Sequence, residues 1–129
     1  MKLSKPRKTI LVDFDGVLHG YQSGWKGPDV IPDPPVPGAI EWLREMLADS
    51  RFEIAIYSSR SLSHVGVDAM RDWLVRHGIS EVNRLSFPRL SFPLEKPAAH
   101  LTIDDRAICF DGRFPTLDEI DAFVPWHKK

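Results

Sequence analysis

Two groups of aspartates, each directly after a short apolar run, are the residues of this chain best suited to chemistry. The run Ile10–Val12 is followed by Asp13, and a second aspartate, Asp15, comes two residues later, just before Gly16. The run has the composition of a buried parallel strand, and a glycine allows a sharp turn where such a strand ends. Open α/β sheets bind ligands at this position, and extended chain would put Asp13 and Asp15 on the same side.

A second acidic group supports the same interpretation. The short apolar run Leu101–Ile103 ends at Asp104 and Asp105. Carboxylates that crowd together need a cation or a shared proton. Hard oxygen ligands suit Mg²⁺, whose coordination is completed by water and by phosphate oxygens of a substrate. The two groups therefore predict a magnesium site for a phosphorylated ligand, although aspartates at a strand–turn junction also occur for structural reasons alone.

Groups that bind phosphate lie between the two acidic groups. Ser58 and Ser59 follow the apolar run Ile54–Tyr57, Arg60 comes next, and Lys96 precedes the last acids. Hydroxyls donate hydrogen bonds to phosphate oxygens, and arginine can bind phosphate through two parallel bonds. The residues alone leave the alternatives open, because turn serines, surface arginines and exposed lysines before proline are all common.

The order Asp-x-Asp, Ser, Lys, Asp-Asp resembles the motif set of the haloacid dehalogenase (HAD) superfamily of phosphotransferases. The four motifs match, in order, Asp13–Leu18, Ser58, Lys96 and the pair Asp104-Asp105. The chain is similar to the short hydrolase-like members of bacteria and phages. The resemblance implies an α/β fold, a Rossmann-like three-layer sandwich with a mostly parallel central sheet and the first strand in the middle. The gaps between the motifs leave no room for the cap domain that larger members insert.

The resemblance also implies roles for the acids. Asp13 is the expected nucleophile, which forms an aspartyl-phosphate, and Asp15 is the expected general acid and base. Neighbouring carboxylates are expected to help Asp15 to carry its proton. Mg²⁺ is expected on Asp13, on the backbone carbonyl of Asp15 and on one acid of the last pair. We expect Asp105 to be the direct metal ligand and Asp104 to lie behind it.

Five other residues are candidates for binding the substrate. Ser58 is expected to bind a phosphate oxygen, with Ser59 as the alternative if the strand ends one residue later. Lys96 is expected to pair with Asp13 and the phosphoryl group, and Arg60 is a further candidate cation. Trp25, in the loop after the nucleophile, is a candidate for stacking on a base or sugar, unless that loop simply packs on the domain.

These expectations combine into a Mg²⁺-dependent phosphomonoester hydrolase. Its partner would be a phosphorylated substrate, either a small molecule such as a nucleotide or the end of a macromolecule such as a nucleic acid. Two alternatives stay open: a catalytically silent module that binds phosphate or metal, and a phosphoryl-receiving switch. Receivers place the acidic pair first and the phosphorylated aspartate after the third strand, which is the opposite order.

The composition limits the class of protein. A chain of 129 residues fits one domain. Its net charge of −1 does not indicate a general nucleic-acid-binding protein, so nucleic acid is expected only as a substrate. No apolar run approaches the ~20 residues of a membrane span, so a cytoplasmic protein without membrane contact is expected. We expect residues 1–8 to be a flexible basic arm and residues 9–129 to be one catalytic domain. The lone Cys109, in an apolar run, is expected to be buried.

Periodicity and turn residues predict the elements around these sites. A proline-rich loop is expected from about 19 to 38, and Thr116 with Glu119 forms a capping box for a last helix. The remaining expected elements are a helix over 39–47, a strand over 52–57, a helix over 67–77, a third strand over 84–87 and an edge strand over 107–110.

Overall fold

A four-stranded, all-parallel sheet forms the centre of the computed structural model, which describes residues 6–80 and 89–129. Its strand order is β3-β2-β1-β4, so the first strand lies inside the sheet. This confirms the α/β, Rossmann-like fold with a parallel sheet that the sequence predicts. The strands are β1 (Lys8–Val12), β2 (Phe52–Ile56), β3 (Leu90–Ser91) and β4 (Leu101–Ile103).

The register of the sheet brings the carboxyl ends of three strands to one level. Val12, the last residue of β1, pairs with Ile56 on one side and with Ile103 on the other. The last three residues of both β1 and β2 are buried, as expected for inner strands covered on both faces. The residues that follow β1, β2 and β4 therefore meet at the same edge of the sheet.

Two helices cover the sheet with their apolar sides. They are α1 (Ala39–Ala48) and α2 (His64–Arg76), and their buried residues share one core cluster with Ile54 and Ile56 of β2. Helix α2 begins three residues earlier than predicted, because the Ser63 side chain caps it by accepting a hydrogen bond from the Gly66 backbone. Both helices confirm the predicted amphipathic segments.

The C-terminal part of the chain is less regular than predicted. Helix α3 (Leu117–Asp121) has the predicted capping box of Thr116 and Glu119 and ends before Pro125. The predicted edge strand over 107–110 is wrong, and Cys109 is exposed rather than buried. All four side chains of that run face solvent, so its apolar character does not reflect burial in the core.

Two other boundaries differ from the prediction. The expected third strand over 84–87 lies outside the described residues, while β3 forms where a loop was expected, because Leu90 packs against the core. Lys8, assigned to a basic arm, is the first residue of β1 and pairs with Phe52. Residues 1–5 of that arm lie outside the described part of the chain. None of the described helices combines the length and apolarity needed to cross a membrane.

The segment after β1 turns back at once. The backbone N–H groups of Val17, Leu18 and His19 all donate to the carbonyl of Phe14, which forms a single helical turn. The chain then continues through the predicted proline-rich loop, which contains no helix and no extended strand. The end of this loop is held against its start, because the backbone N–H of Val36 donates to the Leu18 carbonyl. This turn holds Asp13 and Asp15 at the edge of the sheet.

Candidate functional site

A cavity of about 290 Å³ lies at the carboxyl edge of the sheet. It is built from the segments that follow β1, β2 and β4, as the strand register requires. Its lining residues are Asp13, Asp15, Tyr21, Ser58, Ser59, Asp104, Asp105 and Arg106. Six of these eight were predicted from the sequence as site residues. Tyr21 belongs to the aromatic loop that was predicted to stack on a base or sugar, with Trp25 as the stacking residue, and Arg106 had no predicted role.

Three carboxylates form a tight cluster in this cavity. One oxygen from each of Asp13, Asp104 and Asp105 lies within 4.8 Å of the others. Such a set of hard oxygen donors fits Mg²⁺ and chemically similar divalent cations. Asp15 lines the same cavity, but its carboxylate is not one of the three. The predicted meeting of the two acidic groups is therefore found, with the side chain of Asp15 apart from the cluster.

Crowding changes the ionisation of Asp13. Burial, a side-chain hydrogen bond with Asp105 and the negative charges of Asp104 and Asp105 together raise the pKa of Asp13 to about 8. The Phe14 backbone N–H opposes this shift by donating to Asp13 Oδ1 at 2.8 Å. Without a cation the raised pKa favours a proton on Asp13, and a cation among the three acids would relieve the same repulsion.

The two acids of the last pair have different environments. Burial favours a higher pKa for Asp105, but hydrogen bonds from His127 and Asp13 lower it below its usual value. His127 Nε2 lies 2.7 Å from Asp105 Oδ2, and only 4% and 5% of the two side chains are exposed. Asp104 is exposed, and its Oδ1 accepts a hydrogen bond from the Arg106 backbone at 2.7 Å.

His127 was missed by the sequence reasoning. It is 22 residues from Asp105 and belongs to no motif, so nothing in the sequence indicates the contact. Trp126 is about half exposed, yet its indole N–H donates to the Gly16 carbonyl at 2.7 Å. The 3₁₀ turn Trp126–Lys128 is thereby attached to the loop after Asp15.

Asp15 is surrounded by donors rather than by the carboxylates that were expected. Its Oδ1 lies 2.8 Å from His19 Nδ1, and both of its oxygens accept from Arg60 Nε, at 3.2 and 3.0 Å. The backbone N–H of Asp33 donates to the other ring nitrogen of His19, Nε2. His19 therefore carries its proton on Nδ1 and donates it to Asp15. The expectation of carboxylate neighbours for Asp15 is wrong.

Arg60 is a buried structural cation, not a surface residue. Its side chain is fully buried, and Nη1 donates to the carbonyls of Gly27 and Pro28 at 3.0 and 2.8 Å. Trp25 lies over its guanidinium, 4.9 Å from ring centroid to Cζ. Neither Arg60 nor Trp25 lines the cavity. Instead of lining the cavity as expected, Arg60 links Asp15 to the loop, and Trp25 packs on Arg60.

The serines have the predicted position. Ser58 caps the 3₁₀ helix Ser59–Leu62, where its Oγ accepts from the Arg60 backbone at 3.0 Å. Its hydroxyl hydrogen remains able to donate to a ligand in the cavity. Ser59 is exposed and lines the same cavity, so both candidate hydroxyls are present.

Lys96 is not brought to the cavity. It is exposed, and its neighbour Pro97 lines a different cleft with Thr9 and Glu53, towards the amino ends of β1 and β2. Arg106 is the cation that lines the acidic cavity instead. The sequence motif places its cation only by its distance from the last acids. It therefore cannot distinguish Lys96, before β4, from Arg106, after β4.

Tyr21 supplies the aromatic wall of the cavity. Its φ of 63° lies in the left-handed region that side-chain-bearing residues seldom adopt. The ring packs edge-on against His19 and His127, with centroids 5.9 Å apart in both pairs. Burial and the charge of Asp15 raise the pKa of Tyr21.

We find no match to this chain among protein-family models, curated proteins or solved structures. The resemblance to the HAD superfamily stays a prediction from the motifs.

Proposed function

We propose that this protein is a Mg²⁺-dependent phosphomonoester hydrolase that works through an aspartyl-phosphate on Asp13. The observation that carries the proposal is the cluster of Asp13, Asp104 and Asp105 in one cavity with the hydroxyls of Ser58 and Ser59. Three acids with oxygens this close need positive charge, and hydroxyl donors beside them suit the oxygens of a phosphate.

The donor set fits the proposed metal. All three side chains offer carboxylate oxygens, and the raised pKa of Asp13 reflects a deficit of positive charge around them. Asp13 and Asp105 would hold the ion, with Asp104 at the exposed side. When bound, the ion supplies the charge that lets the acids ionise together and that neutralises the phosphoryl oxygens.

The residues of the chain divide the remaining chemistry. An oxygen of Asp13 attacks phosphorus, the bond from phosphorus to the leaving oxygen breaks, and that oxygen takes a proton from Asp15. Asp15 then accepts a proton from the water that hydrolyses the aspartyl-phosphate, which releases inorganic phosphate and restores Asp13. His19 and Arg60 orient Asp15 for these transfers.

Phosphate binding falls to groups at the cavity wall. Ser58 and Ser59 donate hydroxyl hydrogen bonds, and we assign to Arg106 the cationic role that the motif order gave to Lys96. Arg106→Ala should therefore raise KM more than Lys96→Ala does.

The proposed substrate class is a phosphate on a nucleotide or nucleic-acid end. Tyr21 faces the cavity and offers a ring on which a base can stack, whereas Trp25 is held against Arg60. Such stacking contributes about 1–3 kcal/mol per base. We expect Tyr21→Ala to lower kcat/KM for a nucleoside monophosphate and a 5′-phosphorylated oligonucleotide more than for a hexose phosphate. A wild-type preference for the hexose phosphate contradicts this assignment.

The basic proposal is tested with a chromogenic phosphate ester. Each molecule of wild-type protein should hydrolyse many molecules of the ester with Mg²⁺ and none with EDTA. Asp13→Asn should lose turnover, because an amide cannot attack phosphorus, while Asp68→Asn on the exposed side of α2 should keep it. Full activity in Asp13→Asn, after deamidation is excluded by mass spectrometry, overturns the nucleophile assignment.

A phosphoryl-receiving switch is the second candidate, and the surroundings of Asp15 favour it. His19 and Arg60 both donate hydrogen bonds to Asp15, so its carboxylate is held as an acceptor. This arrangement would slow the delivery of a proton to a leaving group. Intact-protein mass spectrometry with a small acyl phosphate separates the two functions. A single long-lived phosphoryl adduct on Asp13 indicates the switch, and rapid release of phosphate indicates the hydrolase.

A further inference from the structure

The Trp126–Lys128 turn contacts the acidic cavity from outside every motif of the sequence. In this turn, His127 Nε2 lies 2.7 Å from Asp105 Oδ2, and the indole N–H of Trp126 donates a hydrogen bond to the Gly16 carbonyl at 2.7 Å. The two contacts bridge the acid after β4 and the loop after β1. The turn therefore joins two of the three segments that form the cavity.

The fit around this bridge is close. A Cβ atom on Gly16 would contact Asp105 Oδ2 and would lie 2.7 Å from His127 Nε2, so only glycine leaves room for the pair. Gly16 also has a φ of 81°, which side-chain-bearing residues seldom adopt. The ring of Tyr21 meets His127 edge-on at 5.9 Å. Asp105 therefore lies against Gly16 and His127, which come from distant parts of the chain, and Tyr21 packs on His127.

We propose that His127 is a positioning residue that orients the Asp105 carboxylate for the bound divalent cation. This inference rests on the proposed metal site. Metal-binding carboxylates are generally oriented by hydrogen bonds from neighbouring groups, and loss of such a partner typically costs about 10- to 100-fold in metal affinity or activity. His127 engages Oδ2 of Asp105, and this contact leaves the other carboxylate oxygen, Oδ1, unused.

The test compares two substitutions that separate the hydrogen bond from the ring. His127→Phe keeps a ring against Tyr21 and Trp126 but removes the donor, and His127→Gln removes the ring but keeps an N–H₂ group near the position of Nε2. The readout is the Kd for Mg²⁺ alone, measured by isothermal titration calorimetry. The metal-free Tm of each variant is measured in parallel. Lys128→Ala, the exposed next residue, is the matched control.

We expect His127→Phe to bind Mg²⁺ about 10- to 100-fold more weakly than wild type. His127→Gln should recover most of the affinity, and Lys128→Ala should match wild type. Unchanged affinity in His127→Phe overturns the inference, as does a Gln variant that binds as weakly as the Phe variant. If His127→Phe does not fold, Trp126→Phe carries the test. It loses the bond to Gly16 and should also weaken binding, and unchanged affinity there overturns the inference.

The result separates this inference from the proposed activity. If Mg²⁺ binding depends on His127 but no phosphate ester is turned over, the inference stands and the hydrolase proposal fails. If esters are turned over and His127→Phe binds Mg²⁺ as wild type does, the hydrolase stands and the inference fails. A wild-type protein that binds no divalent cation overturns both.

Discussion

Asp13 and Asp15 are two residues apart in the chain, yet the folded protein gives them opposite surroundings. Asp13 faces Asp104 and Asp105, whereas Asp15 accepts hydrogen bonds from His19 and Arg60. The turn after β1 produces this difference, because the two side chains diverge as soon as the chain leaves the strand. Carboxylates with contrasting environments can take different roles in one reaction.

Asp13 should make the metal-free protein less stable as pH rises. Its pKa is 3.8 when unperturbed and about 8 in the folded protein. Between these values the folded state binds more protons than the unfolded state, so the free energy of unfolding falls with increasing pH. Asp13→Asn removes this dependence. In EDTA at alkaline pH we expect the free energy of unfolding of the variant to exceed that of wild type by about 1–3 kcal/mol, the usual cost of a buried polar group without a partner.

Urea denaturation of both proteins at about pH 5 and about pH 9 measures this effect. Near the lower end of the window, Asp13 is protonated when folded, so the two proteins should differ least. An advantage of Asp13→Asn that is the same at both pH values contradicts the raised pKa.

Arg60→Met should be strongly destabilising. The substitution removes the charge that faces Asp15 and both hydrogen bonds to the loop carbonyls, in an ion pair whose arginine is fully buried. Breaking one side of a buried pair typically costs about 3–5 kcal/mol. Arg113→Met breaks the exposed pair with Glu119 and should leave Tm nearly unchanged. Equal Tm losses in the two variants would mean that Arg60 contributes no more than a surface arginine.

At the scale of elements, the start of α2 fixes the position of the segment that carries Ser58 and Arg60. Helix α2 follows the 3₁₀ helix Ser59–Leu62 directly and packs against it. Gly66, in the first turn of α2, is buried against the backbone carbonyl of Arg60. A glycine at this point allows the helix and the segment to approach closely.

Gly66→Ala should push α2 away from Arg60. A Cβ there would collide with the Arg60 carbonyl oxygen, and backbone cannot move aside as a flexible side chain can. Overpacking of this kind costs about 1–3 kcal/mol, more than the helix propensity of alanine returns. Thermal melts against Val65→Ala, an exposed neighbour in the same turn, provide the comparison. A Gly66→Ala protein as stable as wild type would show that the contact relaxes freely.

At the scale of the whole molecule, the site exists because three strands end together. Mg²⁺ that binds only the folded acid cluster stabilises the protein by mass action, about 2.7 kcal/mol at a hundred times Kd. We expect Mg²⁺ to raise Tm, and the increase to shrink more in Asp105→Ala than in Asp104→Ala. Asp105 is enclosed beside Asp13 and His127, whereas Asp104 is exposed.

Each shift is measured against the metal-free Tm of the same variant, since loss of Asp105 also leaves His127 without its partner. The same melts in Ca²⁺ test whether the preference is for the smaller ion. Equal shrinkage in the two variants, or the reverse order, refutes Asp105 as the principal ligand of the pair.

The sequence by itself determined the local parts of this protein. Apolar runs that end in acids located β1 and β4, and a run that ends in serines located β2. Helical periodicity located α1 and α2, and the capping box located α3. These features depend on neighbouring residues, so spacing is sufficient to detect them. The same reasoning identified Asp13, Ser58, Ser59 and the last two acids, because the ends of parallel strands must share an edge.

Only the tertiary structure decided which distant groups surround those acids. Arg60 pairs with Asp15 across 45 positions, and His127 reaches Asp105 across 22, and neither contact leaves a pattern in the sequence. Lys96 and Trp25 had plausible spacing but lie outside the cavity, where Arg106 and Tyr21 stand instead. Long-range contacts depend on how loops close over a finished sheet, and the residue types at single positions cannot specify that closure.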